Sequence, residues 1–434
     1  MNTISIQKDV PVIDRYDVIV CGGGPGGIIS AIAAAREGAK VALIERYGFV
    51  GGMATAGMVN PLSVFRYNDE LVVGGIPWEL VKRLEAEGGA QIEYPLGNIS
   101  IKAESFKMVA QRMLLEAGVT LYLHAYLSGV QLGDGNRVTH VIFESKSGTQ
   151  ALEGRYFIDS TGDGDLIAMA GVPMLSFEGP LQPASLEFLI GGVDTDHVEK
   201  IHHSQQGINY HNLPMQTRLR ELAKDPQNNV PNFGGPWFCW TLTPGQLVVN
   251  ATRIQVDMTD ERQQTHAECQ LREDAHRLLQ LFKENFEPFK DAYMIQTAVQ
   301  TGIRETRHMH GAHVLTGEEY LSGVEFEDAI GRGCHPIDIH AVDSSAQRCQ
   351  FLEKAAYIPY RSLYSPAFPN LLVGGRCLSA DKEASGSVRV MASVMGVGQA
   401  AGVAAAQCSR ENLDVCAVDI QKLRARLIQW GAVL

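Results

Sequence analysis

No C-x-x-C pair occurs among the 8 cysteines of this 434-residue chain. That argues against a zinc ribbon, a cysteine-ligated iron–sulfur cluster and a dithiol redox centre. Scattered cysteines in so long a chain also fit a disulfide framework poorly, and a reducing cytoplasm is the expected setting. Excess positive charge is missing too. The formal net charge is −12, whereas nucleic acid and anionic lipid both call for a cationic face. Neither nucleic-acid binding nor membrane insertion is expected. Long apolar runs are absent: Val18–Val20 and Leu371–Val373 are strand-sized and far too short to span a bilayer. Met1–Asp14 has no apolar core of the signal-peptide kind. No internal repeat, low-complexity stretch or heptad run is visible. What remains is ordinary globular composition, 45% hydrophobic and 20% charged, in a chain long enough for two domains.

Tyr16–Val20 reads as a fully apolar strand, as in a parallel sheet covered on both faces. Glycines follow, then an Ala/Ile-rich helix from about Pro25 to Glu37 stopped by Gly38, and a second strand Val41–Ile44. Further on come a helix Phe106–Glu116, a strand Thr120–Leu123, and an antiparallel meander over Val138–Glu144 and on to Gly154, turning at Gly148. A short strand Arg155–Asp159 ends in Ser160–Asp165. The middle, about Gly171 to Tyr357, has a different character. It carries strands at Ser185–Ile190 and Gln246–Ile254, a long polar helix Asp260–Phe286 and most of the histidines. After it, Asn370–Val373 is again a buried strand, followed by Gly374-Gly375-Arg376 and an Ala/Gly-rich helix from about Ser387 to Ala406.

The first βαβ unit contains Gly22-x-Gly24-x-x-Gly27 directly after a strand and opening a helix. Gly22 permits the tight turn, Gly24 lets backbone approach a pyrophosphate, and Gly27 allows close helix–strand packing. The helix N-terminus offers N–H groups to phosphates. Glu45 ends the second strand, where a carboxylate accepts from ribose hydroxyls. A glycine-rich turn without ligand is the bland alternative. Strand, glycines, helix, strand and acid in this order favour a nucleotide site, for FAD or NAD alike.

Further motifs carry a resemblance. Arg46–Gly57 (RYGFVGGMATAG) resembles the second glycine motif of FAD-dependent oxidoreductases in the glutathione-reductase-like superfamily. Ser160–Asp165 (STGDGD) resembles the motif after their third FAD-domain strand, and Asn370–Ala406 resembles their C-terminal FAD motif. With segments around Arg253, Arg304, Asp338 and Arg361, the chain is similar to the bacterial FAD-dependent oxidoreductase family, distantly like fumarate reductase flavoproteins. The resemblance implies FAD as cofactor, with Arg46, Gly52, Met53, Tyr126, Thr161, Gly162 and Asp163 joining Gly22, Gly24, Gly27 and Glu45 around it. From the C-terminal motif it adds Gly375, Arg376, Ser387 and Arg389. Many relatives carry Asp where Gly375-Arg376 stands, so Asp381 or backbone groups must serve the ribityl chain instead.

The implied architecture is α/β. A discontinuous Rossmann-type FAD-binding domain (14–60, 100–171 and 357–420) carries an inserted mixed α+β substrate domain (172–356), with 61–99 as a smaller insertion. The expected function is a flavin dehydrogenase or reductase moving a hydride between flavin N5 and a small polar substrate. Its electron donor or acceptor is unknown, and a homo-oligomer is possible. The rivals are a flavin-bearing electron-transfer subunit needing a protein partner and an NAD-only dehydrogenase. Arg389, in the first turn of the helix from Ser387, would stabilise charge on the flavin N1–C2 edge, or else lie on the surface. Arg304 and Arg307, three apart, would share a helix face and clamp a carboxylate, or pair with Glu305 or acids near Glu268. Asp338 and His340 share a strand face, with His335 nearby, and suit a carboxylate-oriented general base. An interface network or a metal site are the alternatives. His202, His203 and His211 read as solvated, Cys21 as a packed small residue, and Trp237, Phe238 and Trp240 as pocket lining or a half-buried strand end.

Arg46–Gly57 contains no histidine or cysteine to tether a flavin. We predict that acid precipitation releases all yellow colour into the supernatant. Flavin fluorescence that stays with the denatured band on a gel would refute a non-covalent cofactor.

Overall fold

The computed structural model describes residues 3–4, 7–93, 97–202, 214–342 and 344–434. His203 and His211 lie outside these. A seven-stranded sheet organises both ends of the chain. Strand β1 (Val12–Cys21) runs parallel to β2 (Val41–Glu45), with helix α1 (Pro25–Arg36) between them. Val18, Ile19 and Val20 are wholly buried, which explains their unbroken apolar run. Beyond helix α2 (Ala103–Glu116), β3 (Thr120–Leu123) extends the sheet past β2. Strands β4 (Tyr126–Leu132), β5 (Val138–Ser145) and β6 (Gly148–Asp159) form the antiparallel meander.

The short strand expected at Arg155 is instead the second half of β6, which is one strand of 12 residues. From Ala151 to Asp159 it lies against β1. On its other edge the first half pairs with β5, and Phe157–Asp159 pair with Leu371–Val373 from far downstream. The handover comes at Gly154, where a Cβ would stand 2.6 Å from the Phe157 ring and 2.8 Å from Ile19 Cδ1.

The inserted portion builds a separate antiparallel sheet of β7 (Phe188–Gly191), β8 (Phe233–Trp240), β9 (Leu247–Thr252) and β10 (Tyr293–Thr297), in the order β8-β9-β7-β10. The strands expected from Ser185 and from Gln246 to Ile254 are shorter than their apolar runs. Ser185 and Ile254 make single bridges to Gly302 and Ala184 rather than ladders. Helix α3 (Glu261–Asn285) covers one face of this cap sheet, burying Phe188, Ile190, Val249, Leu278 and Phe282 together. Phe238 and Trp240 pack on that core rather than beside the glycine motifs. Strand period then turns Glu187 and Leu189 to the opposite face. Past its end the chain meets residues 56–58, with Gln300 N donating to Ala56 O (3.1 Å) and Gln296 Nε2 to Met58 Sδ (3.1 Å). A hairpin of β11 (Ile337–His340) and β12 (Gln347–Gln350) follows.

Strand β13 (Leu371–Val373) returns to the main sheet, followed by α4 (Lys382–Val388) and α5 (Met391–Glu411). The single helix expected from Ser387 is therefore two, bent by 93°. Neither glycine nor proline marks the break. Asp381 starts α4 by accepting from Ala384 N (2.8 Å), and Val390 is extended, so the bend follows from what the flanking side chains reach. Among the described residues no single helix is long and apolar enough to cross a membrane.

Helices α1 and α5 meet backbone to backbone. Gly26 and Ser30 are one turn apart on α1, as are Gly398 and Gly402 on α5. A Cβ on Gly398 would collide with the Gly26 carbonyl, and one on Gly402 with the Ser30 carbonyl. Intrinsic helix propensity alone favours alanine over glycine by about 1 kcal/mol. Overpacking at this seam should reverse that, and Gly402→Ala is expected to destabilise by about 1–3 kcal/mol. Chemical denaturation measures it; an unchanged or raised midpoint would mean the helices are not in backbone contact.

Candidate functional site

The parallel strands β1, β2, β6 and β13 all end at one edge, the usual position of a ligand crevice in such sheets. A cleft opens there. Its walls include Gly22, Gly24, Glu45, Arg46, Gly52, Met53, Thr161, Gly162, Asp163, Gly375, Arg376 and Arg389. A neighbouring hollow shares Gly22, Glu45, Arg46 and Thr161 and adds Tyr126. Motifs from three separated stretches of chain thus line one continuous groove. Two expected residues stand outside the wall. Gly27 lies beneath it, where a Cβ would collide with the Gly22 carbonyl. Ser387 is wholly buried and gives its hydroxyl to His335 O (2.5 Å).

Gly22 has φ +100°, a region that disfavours side chains. Gly24 is different in kind. A Cβ there would meet only Ser160 O, at 4.0 Å, so nothing in the protein itself demands glycine. The demand must come from something held against that backbone at the uncapped start of α1. Glu45 is aimed by two backbone donors, Gly23 N (2.7 Å) on Oε2 and Tyr47 N (2.9 Å) on Oε1. Each carboxylate oxygen keeps further acceptor capacity. Burial raises the Glu45 pKa, opposed by those two bonds and by Arg46. Beneath the cleft Asp159, wholly buried, holds Thr161 through its N–H and hydroxyl, and Ile167 through its N–H. Burial pushes its carboxyl up to about 6.

Arg376 does structural work in the wall. It donates to Gly162 O (2.8 Å) and to Ile303 O and pairs with Asp163. Asp381, one stand-in for the acid missing at this loop, instead caps α4 and accepts from Gly317 N (2.9 Å). That leaves backbone groups for the role.

Arg389 is not in the first turn of a helix, as expected, but at the C-terminal end of α4. From there it lines the cleft with a side chain only 10% exposed. Nη2 donates to Asp338 O (3.1 Å), and Nη1 has no partner among the described residues. Burial pulls its pKa down to about 10, which leaves it cationic near neutrality. An unpartnered buried donor suits a ligand that brings acceptors. With the Gly24 cradle and the aimed carboxylate of Glu45, the groove fits a dinucleotide carrying a second, polar ring system.

The helix expected to align Arg304 and Arg307 is absent, since residues 303–308 carry neither helix nor strand. The segment is stretched between Gly302, bonded to Ser185, and Met309, bonded to Cys377 O. Its arginines accordingly diverge. Arg307 pairs with Asp165 (2.9 Å). Arg304 reaches Pro183 O (2.8 Å), Ser185 Oγ (2.7 Å) and Asn250 Oδ1 (3.5 Å), with its pKa drawn to about 10 by burial and by Arg253.

Asp338 and His340 do stand together, with His340 Nε2 3.0 Å from Asp338 Oδ2. Arg253, only 2% exposed, lies 3.0 Å from the other ring nitrogen, Nδ1. A guanidinium can only donate, so Nδ1 accepts and Nε2 carries the proton toward Asp338. Both nitrogens are engaged, and burial with Arg304 nearby holds the His340 pKa down to about 3. His335 Nδ1 lies 2.7 Å from Pro336 O, and burial lowers its pKa too. Among the described residues no group of three or more His, Cys, Asp or Glu is placed to hold a metal ion.

Three side chains that sequence reasoning passed over matter here. Gln300 lines the cleft from the cap. Buried His308 sits 3.3 Å from Ser385 Oγ, its pKa pulled to about 4 by burial. Glu187 is 2% exposed, its Oε2 has no partner among the described residues, and burial raises its pKa well above the usual carboxylate range, opposed by Arg304. Only Glu187 left a trace in sequence, as a lone charge in the apolar run Leu186–Ile190.

A family model described as FAD dependent oxidoreductase matches residues 17–427. Dihydrolipoyl dehydrogenase of Trypanosoma brucei brucei is 52% identical over 46 residues, 11% of this chain and 10% of its own length. Digeranylgeranylglycerophospholipid reductase 2 of Methanopyrus kandleri is 27% identical over 155 residues, 34% of this chain and 38% of its own. The chain thus spans far less than two thirds of these relatives. A solved geranylgeranyl bacteriochlorophyll reductase-like protein from Thermoplasma acidophilum superposes with TM-score 0.51 at 15% identity, covering 96% of this chain and 84% of that one. At that identity the likeness is one of fold.

The two glycines predict opposite failures. Gly24→Val should fold with near-normal stability yet hold little FAD, because its side chain enters the cleft and not the protein. Gly27→Ala should lose stability by about 1–3 kcal/mol through overpacking against Gly22. Flavin absorbance per chain and thermal unfolding separate them; full flavin content in folded Gly24→Val would sink the assignment.

Proposed function

The chain belongs to the FAD dependent oxidoreductase family, and from that membership we propose that it transfers a hydride between FAD and a small polar organic molecule held under the cap sheet. FAD bound in the cleft supplies an N5 that accepts or gives up the hydride. The observation that carries the reading is Arg389, a buried cation with an unpartnered N–H in the cofactor cleft.

The chain's own residues divide the work. The turn at Gly22–Gly27 and the start of α1 bind the diphosphate, and Glu45 the ribose. Arg389 offers positive charge to the reactive end of the cleft, and Asp338 holds it there. Among the described residues Arg253 and Arg304 hydrogen-bond carbonyl, hydroxyl, amide and imidazole groups and no carboxylate. Guanidiniums in that state favour an anionic or strongly polar substrate. Arg307 is held by Asp165, so Arg304 is the better placed to bind substrate. For the proton that accompanies the hydride we assign Glu187 ahead of His340. Its Oε2 is unengaged, whereas His340 must break a bond to accept a proton.

Anaerobic screening of small alcohols, amines and carboxylic acids against the yellow protein is the test. Bleaching of the flavin by one such compound, with no second protein present, is the expected result. With that compound, Glu187→Gln should slow flavin reduction by about a hundredfold or more, as loss of a positioned acid or base does. A flavin reducible only through a protein donor would make the chain an electron-transfer subunit and end this reading.

A further inference from the structure

Residues 300–307 leave the cap and cross the cofactor cleft before the chain rejoins the main domain. In eight positions they touch all three separated stretches that wall the cleft. Gln300 Oε1 accepts from both Arg46 Nη2 and Tyr47 Oη, just past Glu45. Ile303 O accepts from Arg376 of the C-terminal stretch. Thr306 Oγ1 donates to Asp163 Oδ1 (2.8 Å) and Arg307 Nη1 to Asp163 O (3.2 Å), in the loop after β6, and Arg307 Nη1 also to Asp165 Oδ1 (2.9 Å), at the start of the helix that follows. The cap anchors the segment from behind, since Thr301 N donates to Glu268 Oε1 (2.7 Å) on α3.

Gln300 is the residue of this segment that reaches the cleft itself. It lines the wall and is only 6% exposed. Its two acceptor bonds orient the carboxamide. Nε2 is then left with a single long contact, 3.4 Å to the carbonyl of the adjacent Thr301. A primary amide has two N–H donors, so a buried side chain keeps donor capacity beside Arg46 and Tyr47. Diphosphate oxygens and flavin carbonyls are acceptors for such donors. Tyr47 is braced for the same wall by stacking on Phe49, with ring centroids 5.5 Å apart at 10°.

We propose that Gln300 is a cofactor-binding residue contributed by the cap, and that segment 300–307 clasps FAD so that the cofactor leaves only when this segment lets go. The inference rests on FAD in the cleft and not on the identity of the substrate. Two consequences follow from the geometry. Gln300→Ala removes both the donor toward FAD and the shared acceptor of Arg46 and Tyr47. Thr306 does not line the cleft, and Thr306→Val removes only its bond to Asp163 Oδ1, leaving the Arg307 bond to Asp163 O in place.

The experiment uses purified holoprotein. FAD release is followed after dilution by the recovery of free-flavin fluorescence, and the apoprotein's thermal unfolding is measured in parallel. Gln300→Ala is expected to release FAD roughly three- to tenfold faster, the effect of one or two lost neutral hydrogen bonds. Thr306→Val should speed release by a smaller factor, and the double variant by about the product of the two. Apoprotein unfolding midpoints should stay close to wild type. A wild-type release rate in Gln300→Ala overturns the proposal. So does faster release that merely tracks a fall in apoprotein stability, which would make the segment a structural tie. A purified wild-type chain that takes up no FAD fails at an earlier step and removes the cofactor reading itself.

Discussion

Backbone contact between α1 and α5 is the constraint on which the cofactor end depends. Four small residues, Gly26, Ser30, Gly398 and Gly402, let the two helices touch without side chains between them. Gly26 also lies against Gly374 O, so the loop after β13 is drawn into the same seam. The last third of the chain is thereby pressed onto the first βαβ unit, and Gly375, Arg376 and Arg389 arrive at the turn formed by Gly22 and Gly24. Interiors pack too densely for a methyl group to be inserted at such a seam without displacement. A discontinuous domain closed this way has one geometry available to it, and the cleft inherits that rigidity.

The second dependency is electrostatic. Asp338 stands between the two parts of the molecule. On one side it holds Arg389, which faces the cleft; on the other it accepts from His340, whose second nitrogen takes a bond from Arg253 in the cap. Burial pushes the Asp338 carboxyl up, but His340 and Arg389 more than reverse it, and the group stays well below the usual carboxylate range. One carboxylate thus serves more than one buried guanidinium. Removing one partner from such a buried ionic set costs far more than the net worth of the set, because the remaining charge is left uncompensated. The cap and the reactive end of the cleft are therefore held in register by the same charges that would receive a substrate.

Much of the cofactor site was legible because its signals are local. The turn at Gly22, the packing glycine at Gly27 and the carboxylate at Glu45 each follow from positions within one βαβ unit, and the structure places them accordingly. The ring of residues around them was legible through resemblance, with Ser387 the exception that turned away from the cleft. Misses arose where a side chain's direction is set by distant partners. Arg304 and Arg307 were read by helical spacing, yet their segment is pulled straight between Ser185 and Cys377. Arg389 reached the cleft as expected but from the end of α4, since the bend at Val390 leaves no mark in composition. Gln300 carried no signal at all. A glutamine in a polar stretch looks like any solvated residue until the cap folds it over Arg46.

From the sequence alone came the nucleotide-binding unit and a mixed α+β region inserted between the two ends of its sheet, while FAD as the group to be held came from the resemblance of the motifs. The first two follow from periodicity and from glycine's backbone freedom, properties of residues a few positions apart. Only the tertiary structure decided which charges face each other. It set His340 between Asp338 and Arg253, left Glu187 and the Nη1 of Arg389 without partners, and laid Gln300 across the cleft. The reason is physical: hydrogen-bond geometry is settled over about 3 Å, and Arg253 and His340 or Gln300 and Arg46, brought that close here, are separated by tens to hundreds of positions along the chain. No local pattern encodes such encounters.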